Sequence, residues 1–228
     1  LGDWALARGL DLAKKTSPGN GGGAGPYPEK IAVVGSGPAG LSCAYQLARS
    51  GYPVTMFEAF PKAGGMLRYG IPSYRLPRQV LDAEIDRILR LGVELRTGCA
   101  VGKDISFDRV RAEYSAVFVG IGAHQGVRLG CPGEDASGVY SGVEFLRLAN
   151  SGNPADLGSR VVVVGGGDTA IDAARVALRM GAKATLLYRR TRNEMPAIEE
   201  EIAGAEEEGV EFRFLAAPIE VMTDGGRV

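Results

Sequence analysis

Two stretches of this chain share one layout: a short β-branched run, a glycine-rich loop, a helical stretch, and a second apolar run that ends on charge. The first is "IAVVGSGPAGLSCAYQLARSGYPVTMFEA" (31–59) and the second is "VVVVGGGDTAIDAARVALRMGAKATLLYRR" (161–190). Gly35 lies 23 positions before Glu58, and Gly165 lies 24 before Arg189. A strand that breaks on glycines straight into a helix, with another strand following, is the pattern of a βαβ unit with parallel strands. Its duplication predicts two such units in succession.

In the first loop, "GSGPAG", Gly35 permits the tight turn and Gly37 lets backbone approach a pyrophosphate. Gly40 lets the helix pack on the strand, and Pro38 and Ala39 fall in the helix's first turn, where free N–H groups and the macrodipole favour phosphate. Glu58 then stands where an acid accepts from an adenosine ribose hydroxyl. That acid leaves NAD and FAD both open. The following residues, "KAGGMLRYGIPSYRLPR", bear on the choice. Gly64 and Gly65 form a turn, Met66 and Leu67 supply apolar surface, Gly70, Ile71 and Pro72 form a rigid turn, and Arg75 is a candidate phosphate partner. A flavin ring needs such an apolar wall with close backbone approach.

In the second loop, "GGGDTA", Gly165 and Gly167 take the turn and approach positions, and Ala170 replaces the last glycine. Asp168 and Thr169 sit where they can cap backbone N–H groups and touch the cofactor. The strand beyond ends on Arg189 and Arg190, with Arg192 close behind. An acid there would repel a 2′-phosphate, whereas arginine forms charge-assisted, often bidentate bonds to it. The second unit therefore reads as an NADP site. An acid-ending and an arginine-ending site do not favour the same cofactor, and FAD with NADPH is the pairing that converts a two-electron donor into single-electron delivery.

Composition excludes other classes. A chain of 228 residues that is 45% apolar and 23% charged is that of a soluble globular protein. The net charge of −1 provides no basic field for nucleic acid. No apolar run nears the ~20 residues of a membrane span, and the N-terminal stretch lacks a signal-peptide core, so no membrane is expected and the location expected is cytoplasmic. The three cysteines, Cys43, Cys99 and Cys131, form no CxxC or CxxxxC pair. His124, the only histidine, follows "VFVGIGA" and reads as structural. The acidic run "AIEEEIAGAEEEG" reads as an amphipathic helix with Ile198, Ile202 and Ala205 inward and its glutamates in solvent.

Strand-like and helix-like stretches alternate from Ile31 onward, which predicts an α/β fold with parallel sheets. The strands are read at "IAVV", "VTMF", "AVFVGIG", "RVVVV", "ATLLYR" and Val210 to Phe214. The helices are read at 40–49, 78–91, 142–150, 168–180 and 198–208. Residues 1–28 read as a weakly amphipathic helix and a Gly/Pro-rich linker, 29–130 as the first part of the FAD-binding domain, and 131–228 as an incomplete NADPH-binding domain. "AAPIEVMTDGGRV" reads as a further strand entering a turn, and the missing return strand is that of a segment of something longer.

With both loops in place, the chain resembles the small (beta) subunit family of NADPH-dependent glutamate synthase, whose relatives include the N-terminal electron-input region of dihydropyrimidine dehydrogenase. The resemblance rests on the two loops above with "GGMLRYGIPSYRLPR", "VFVGIGAHQGVRLGCPGED" and "LLYRRTRNEMPA". It implies two Rossmann-like units of the two-dinucleotide-binding-domain flavoprotein type. FAD would lie against Gly35, Gly37, Pro38, Ala39, Gly40, Glu58, Gly65, Met66, Leu67, Arg75 and Gly122. NADPH would lie against Gly165, Gly167, Asp168, Thr169, Ala170, Arg189 and Arg190. The resemblance implies hydride passing from NADPH to FAD and electrons leaving singly to iron–sulfur centres in a separate domain or subunit. No catalytic side chain and no metal ligand is assigned in this chain. The family's cysteine-rich region and its FAD-closing segment are expected outside it, so the FAD domain here is truncated. The rivals are a thioredoxin-reductase-type flavoprotein, which needs a paired-cysteine centre, and a non-catalytic nucleotide-binding scaffold. Serine or alanine at the three cysteines is expected to leave NADPH-driven bleaching of the flavin absorbance intact; its loss in a folded variant with both cofactors bound would favour the disulfide-reductase rival.

Overall fold

The computed structural model describes residues 26–226 and 228, so the N-terminal helix expected over 2–15 lies outside the described residues. The chain divides into two compact units. One runs to Arg68 and resumes over Ser73–Ala123; the other comprises Tyr69–Pro72 and His124–Val228.

The first unit is a four-stranded sheet of β1 (Ile31–Val34), β2 (Val54–Phe57), β3 (Glu94–Arg96) and β4 (Ala116–Val119), in the order β3-β2-β1-β4. Every neighbouring pair is parallel, with Ile31 opposite Val54 on one side and Ala116 on the other. The two central strands are buried along their whole length, as their unbroken apolar runs require. Helix α1 (Pro38–Arg49) buries Gly40, Leu41, Ala44 and Ala48, a stripe of about one residue per turn. That stripe joins Val33, Val54 and Met56 in a cluster that also takes Leu81 and Ile85 of a later helix, α3 (Arg78–Leu89). The short turn α2 (Met66–Tyr69) precedes it. On another face Ala32 and Phe57 pack with Val110 of α4 (Phe107–Glu113), and Tyr114 meets the Phe57 ring edge-on.

The second unit has three parallel strands, β5 (Arg160–Val164), β6 (Lys183–Tyr188) and β7 (Glu211–Phe214), in that order. Helix α6 (Asp168–Arg179) is buried on two sides. Ala170, Ile171 and Ala174 join Leu186 and, from α7 (Glu199–Glu208), Ile202 and Ala205. Ala173 and Ala177 meet Phe145 and Leu146 of α5 (Gly142–Asn150). This is the α/β fold of two parallel-sheet units that the repeated pattern predicts.

Four expectations change. The strand read as "AVFVGIG" stops at Val119. Beyond it the Gly120 carbonyl lies against Gly35, where an added Cβ would come within 2.4 Å of its oxygen. Strand β3 and helix α4 were illegible as elements: "ELR" has no apolar run, and α4 is a seven-residue helix announced only by Ser106, whose Oγ accepts the Arg109 N–H at 3.2 Å. The strand expected after Phe214 is absent. Pro218 removes a ladder donor, and the segment instead turns to the 132–137 loop, where Val221 N–H donates to the Pro132 carbonyl at 2.9 Å. Finally, α7 begins one residue later than expected, and Ile198 is exposed.

The glutamates of α7 are not simply solvated either. Arg175 of α6, whose side chain is only 12% exposed, donates to Glu201, and its Nη2 lies 2.5 Å from Glu208. Arg179 reaches the same Glu208 at 2.6 Å. Ion pairs thus fasten α6 to α7. The hydrogen bond from Arg175 holds the Glu208 carboxyl below the usual carboxylate range, against the opposing effect of burial. A group with a depressed folded pKa contributes stability above its unfolded pKa and loses it as pH falls through the folded value. Removing Arg175 leaves two half-buried carboxylates short of a partner, so Arg175→Ala is expected to cost about 1–3 kcal/mol, between the values for exposed and buried pairs. Urea unfolding over a pH series checks this: the gap between variant and wild type should be full near neutrality and shrink through the acid range. A gap independent of pH would assign the loss to packing alone.

Candidate functional site

In the first unit, β1 runs into Gly35 at φ +98°, and Gly40 returns so close that an added Cβ would sit 1.9 Å from the Gly35 carbonyl oxygen. Gly37 is the N-cap of α1, with no side-chain cap and Pro38 in the first turn. Pro38 has no N–H to satisfy. Among the described residues the N–H groups of Ala39 and Gly40 have no hydrogen-bond partner, while Leu41 N–H already donates to Gly37 at 2.9 Å. Pro38 and Ala39 are exposed. An uncapped helix end with open donors fits a phosphate group.

Glu58 follows β2 and is almost wholly buried. Its Oε2 accepts the Ser36 N–H at 3.0 Å and the Ser36 hydroxyl, and its Oε1 accepts the Phe60 N–H at 2.8 Å. The glycine loop and the acid are therefore wired together. Gly64 and Gly65, both at positive φ, form a second turn against the first: a Cβ on Gly65 would lie 2.6 Å from the Gly37 Cα. Met66 and Leu67 are half-buried, with Leu67 packed on the α1 cluster. Two further arginines hold this turn. Arg68, buried, donates to the Ala63 carbonyl and pairs with Asp82, and Arg78 Nη1 donates to the Leu67 carbonyl at 3.0 Å. Burial, and then the neighbouring Arg68 charge, lower the Arg78 pKa. Arg75 is half-exposed in the loop between them, and Gly122 is exposed at φ +68°, two residues past the Gly120 contact. The expected rigid turn of Gly70, Ile71 and Pro72 falls wholly in the second unit, where Asn150 Nδ2 donates to the Tyr69 carbonyl at 3.1 Å.

The second loop is built alike with different packing. Gly165 has φ +144°, and its added Cβ would meet the Ala170 methyl at 3.1 Å, close but not obstructed. Gly166 could carry no side chain, since a Cβ would strike the Tyr188 ring at 2.4 Å, and Tyr188 is fixed by donating from Oη to the Glu194 carbonyl at 2.8 Å. Gly167 is the N-cap of α6. Asp168 caps a different segment: its Oδ1 accepts the Ile198 N–H at 3.0 Å, and Ala197 N–H donates to the Gly166 carbonyl at 3.2 Å. Two bonds thereby tie the residues before α7 to the loop. The N–H groups of Asp168 and Thr169 have no partner among the described residues, and Thr169 is exposed.

Arg189 and Arg190 are exposed, and neither makes an ion pair among the described residues. Arg192 differs. It meets Glu199 at 2.8 Å and Glu206 at 3.0 Å, and these carboxylates, Glu206 first, raise its pKa. Its charge is already matched within the fold. Cys43, Cys99 and Cys131 are free thiols, each half-buried, and burial pushes the Cys43 thiol up. No described helix is long and apolar enough to cross a membrane.

Comparison with known proteins gives a consistent picture. Residues 29–228 match the family model described as pyridine nucleotide-disulphide oxidoreductase. The chain is 50% identical over 208 residues to the NADPH-Fe(3+) oxidoreductase subunit beta of Geobacter sulfurreducens, an overlap of 87% of this chain and 31% of that protein. It is 40% identical over 209 residues to the glutamate synthase [NADPH] small chain of Escherichia coli, 86% of this chain and 44% of that one. The chain thus spans about a third to under half of these curated relatives. Among solved structures it is similar to Mycobacterium tuberculosis FprA in complex with NADPH, with a TM-score of 0.72, 21% identity, and coverage of 87% of this chain and 62% of that chain.

The Gly35–Gly40 approach makes a clear stability test. Gly40→Ala places a methyl against backbone that has nowhere to move and is expected to cost about 3 kcal/mol or more. Gly92→Ala, at φ +94° with nothing within 4 Å, meets only left-handed strain of about 1–2 kcal/mol. Denaturant unfolding of the two variants checks the ranking, and equal losses would contradict the close approach.

Proposed function

The chain belongs to the pyridine nucleotide-disulphide oxidoreductase family, and from that premise we propose that it is the FAD- and NADPH-binding electron-input module of a larger oxidoreductase. The observation that carries the reading is the contrast between the two βαβ endings. Glu58 is buried and oriented by three hydrogen bonds, whereas Arg189 and Arg190 stand exposed and make no ion pair among the described residues. The first arrangement suits a ribose hydroxyl, and the second suits a 2′-phosphate.

In the first unit, the open N–H groups of Ala39 and Gly40 receive the FAD pyrophosphate, with Gly35 and Gly37 keeping the approach clear and Pro38 presetting the helix start. Glu58 accepts from the adenosine ribose. Gly65, Met66 and Leu67, with Arg75 and Gly122, line the way toward the flavin. In the second unit, Gly165 and Gly167 clear the approach, the N–H groups of Asp168 and Thr169 receive the NADPH pyrophosphate, and Ala170 seats α6 on its strand. Arg189 and Arg190 take the 2′-phosphate. Arg192, matched by Glu199 and Glu206, lends little. When bound, the cofactors supply hydride transfer from the nicotinamide to the flavin and single-electron release to iron–sulfur centres outside this chain. The chain's own residues orient and shield; no side-chain proton donor is required of them.

The acceptor belongs to the rest of the protein. Relatives at comparable coverage are named for Fe(3+) reduction and for glutamate synthase, so a glutamate synthase small-subunit-like role is one use of a module that serves several acceptors. Its three unpaired thiols suit a reducing cytoplasm.

Titration tests the assignment of the second unit. A charge-assisted hydrogen bond contributes about 1.5–3 kcal/mol, so Arg189→Ala or Arg190→Ala is expected to weaken NADPH by roughly 10- to 100-fold and the double change by more. NADH, with no phosphate to lose, should hardly respond. Equal losses for NADPH and NADH in the double variant would mean that the arginines support the fold or the pyrophosphate, and the NADP assignment would fail.

A further inference from the structure

Ser36 lies between the first two glycines of "GSGPAG", and its side chain is fully buried, an uncommon setting for a hydroxyl. The hydroxyl donates to Glu58 Oε2 and accepts the Gly64 N–H at 3.2 Å. Its backbone repeats both connections: the N–H donates to Glu58 Oε2 at 3.0 Å, and the carbonyl accepts the Gly64 N–H at 3.0 Å. One residue thus touches the acid that follows β2 and a glycine turn 28 positions along the chain.

The acceptor capacity of Glu58 shows what this achieves. A carboxylate has about four lone-pair sites, two on each oxygen. Both Ser36 donors fall on Oε2, filling it, while among the described residues Oε1 takes only the Phe60 N–H. Oε1 is left as the oxygen with room for another donor.

We infer that Ser36 is a positioning residue for the first site: its hydroxyl orients the Glu58 carboxylate so that Oε1 is offered to a ribose hydroxyl, and it fastens the Gly64–Gly65 turn to the same acid. The inference rests on the reading of this unit as an adenosine diphosphate site. A serine that merely filled space would make the fold more stable without regard to the ribose.

The test titrates the full chain with ADP and with 2′,3′-dideoxy-ADP, which lacks both ribose hydroxyls. Wild type is expected to favour ADP by about tenfold, the worth of one hydrogen bond to a charged group. Ser36→Ala should lose about that factor for ADP and almost nothing for the dideoxy analogue, so the preference collapses. In a Glu58→Ala background the same serine change should leave ADP affinity unaltered, because no carboxylate remains to be oriented. If Ser36→Ala does not fold, Ser36→Cys, close in volume and a weak donor, supports the same ratio measurement. Equal losses for both ligands, or the same loss without Glu58, would overturn the inference alone. Failure of the unaltered chain to bind ADP or FAD would overturn the site reading and this inference together.

Discussion

The carbonyl of Gly35 and the Cα of Gly40 approach so closely that no side chain fits between them. That approach lets α1 lie directly on β1, and the rest of the first unit follows from it. With the helix seated, Leu41, Ala44 and Ala48 reach Val33, Val54 and Met56. The N–H groups of Ala39 and Gly40 in the first turn are left without a partner among the described residues, the condition that favours an anion at a helix start. Tight packing and an unsatisfied helix end are two results of one backbone geometry.

The second unit reaches the same layout through other contacts. Gly165 adopts φ +144°, and the Ala170 methyl lies a tight 3.1 Å from the space of an added Cβ, without the 1.9 Å backbone clash of the first loop, so alanine stands where the first unit requires glycine. Its constraint moves to Gly166, pressed on the Tyr188 ring, and to the bonds from Ala197 and Ile198 to the loop. Asp168 thereby works in the fold as a clasp on the segment before α7, whatever it also offers a cofactor. The difference in charge at the strand ends has a packing counterpart. An acid can be buried because backbone and hydroxyl donors satisfy it, as Ser36 and Phe60 satisfy Glu58. A guanidinium that makes no ion pair stays in solvent, as Arg189 and Arg190 do among the described residues.

The acidic run of α7 shows how charge can mislead. Read along the sequence it is a solvated face; in the fold, Glu201 and Glu208 hold Arg175, and Glu199 and Glu206 hold Arg192. The same pairing separates Arg192 from its two neighbours in "YRRTR". Three arginines within four positions have two different settings, and only the placement of α7 tells them apart.

Sequence alone determined the elements whose residues must satisfy a local rule: the fully apolar strands β1 and β2, the helices that open on glycine loops, the repeat, and the opposite charges at the two endings. These are legible because strand periodicity, φ preference and charge are properties of single residues and short spacings. Only tertiary structure decided the short strand β3, the failure of the segment around Pro218 to form a strand, the Arg68 and Arg78 clamps on the Gly64–Gly65 turn, and the wiring of Ser36 to Glu58. Each of those depends on partners far apart in the chain, and hydrogen bonds between residues 22 or 28 positions apart leave no periodic trace in sequence because the intervening chain can be of any composition that folds to bring them together.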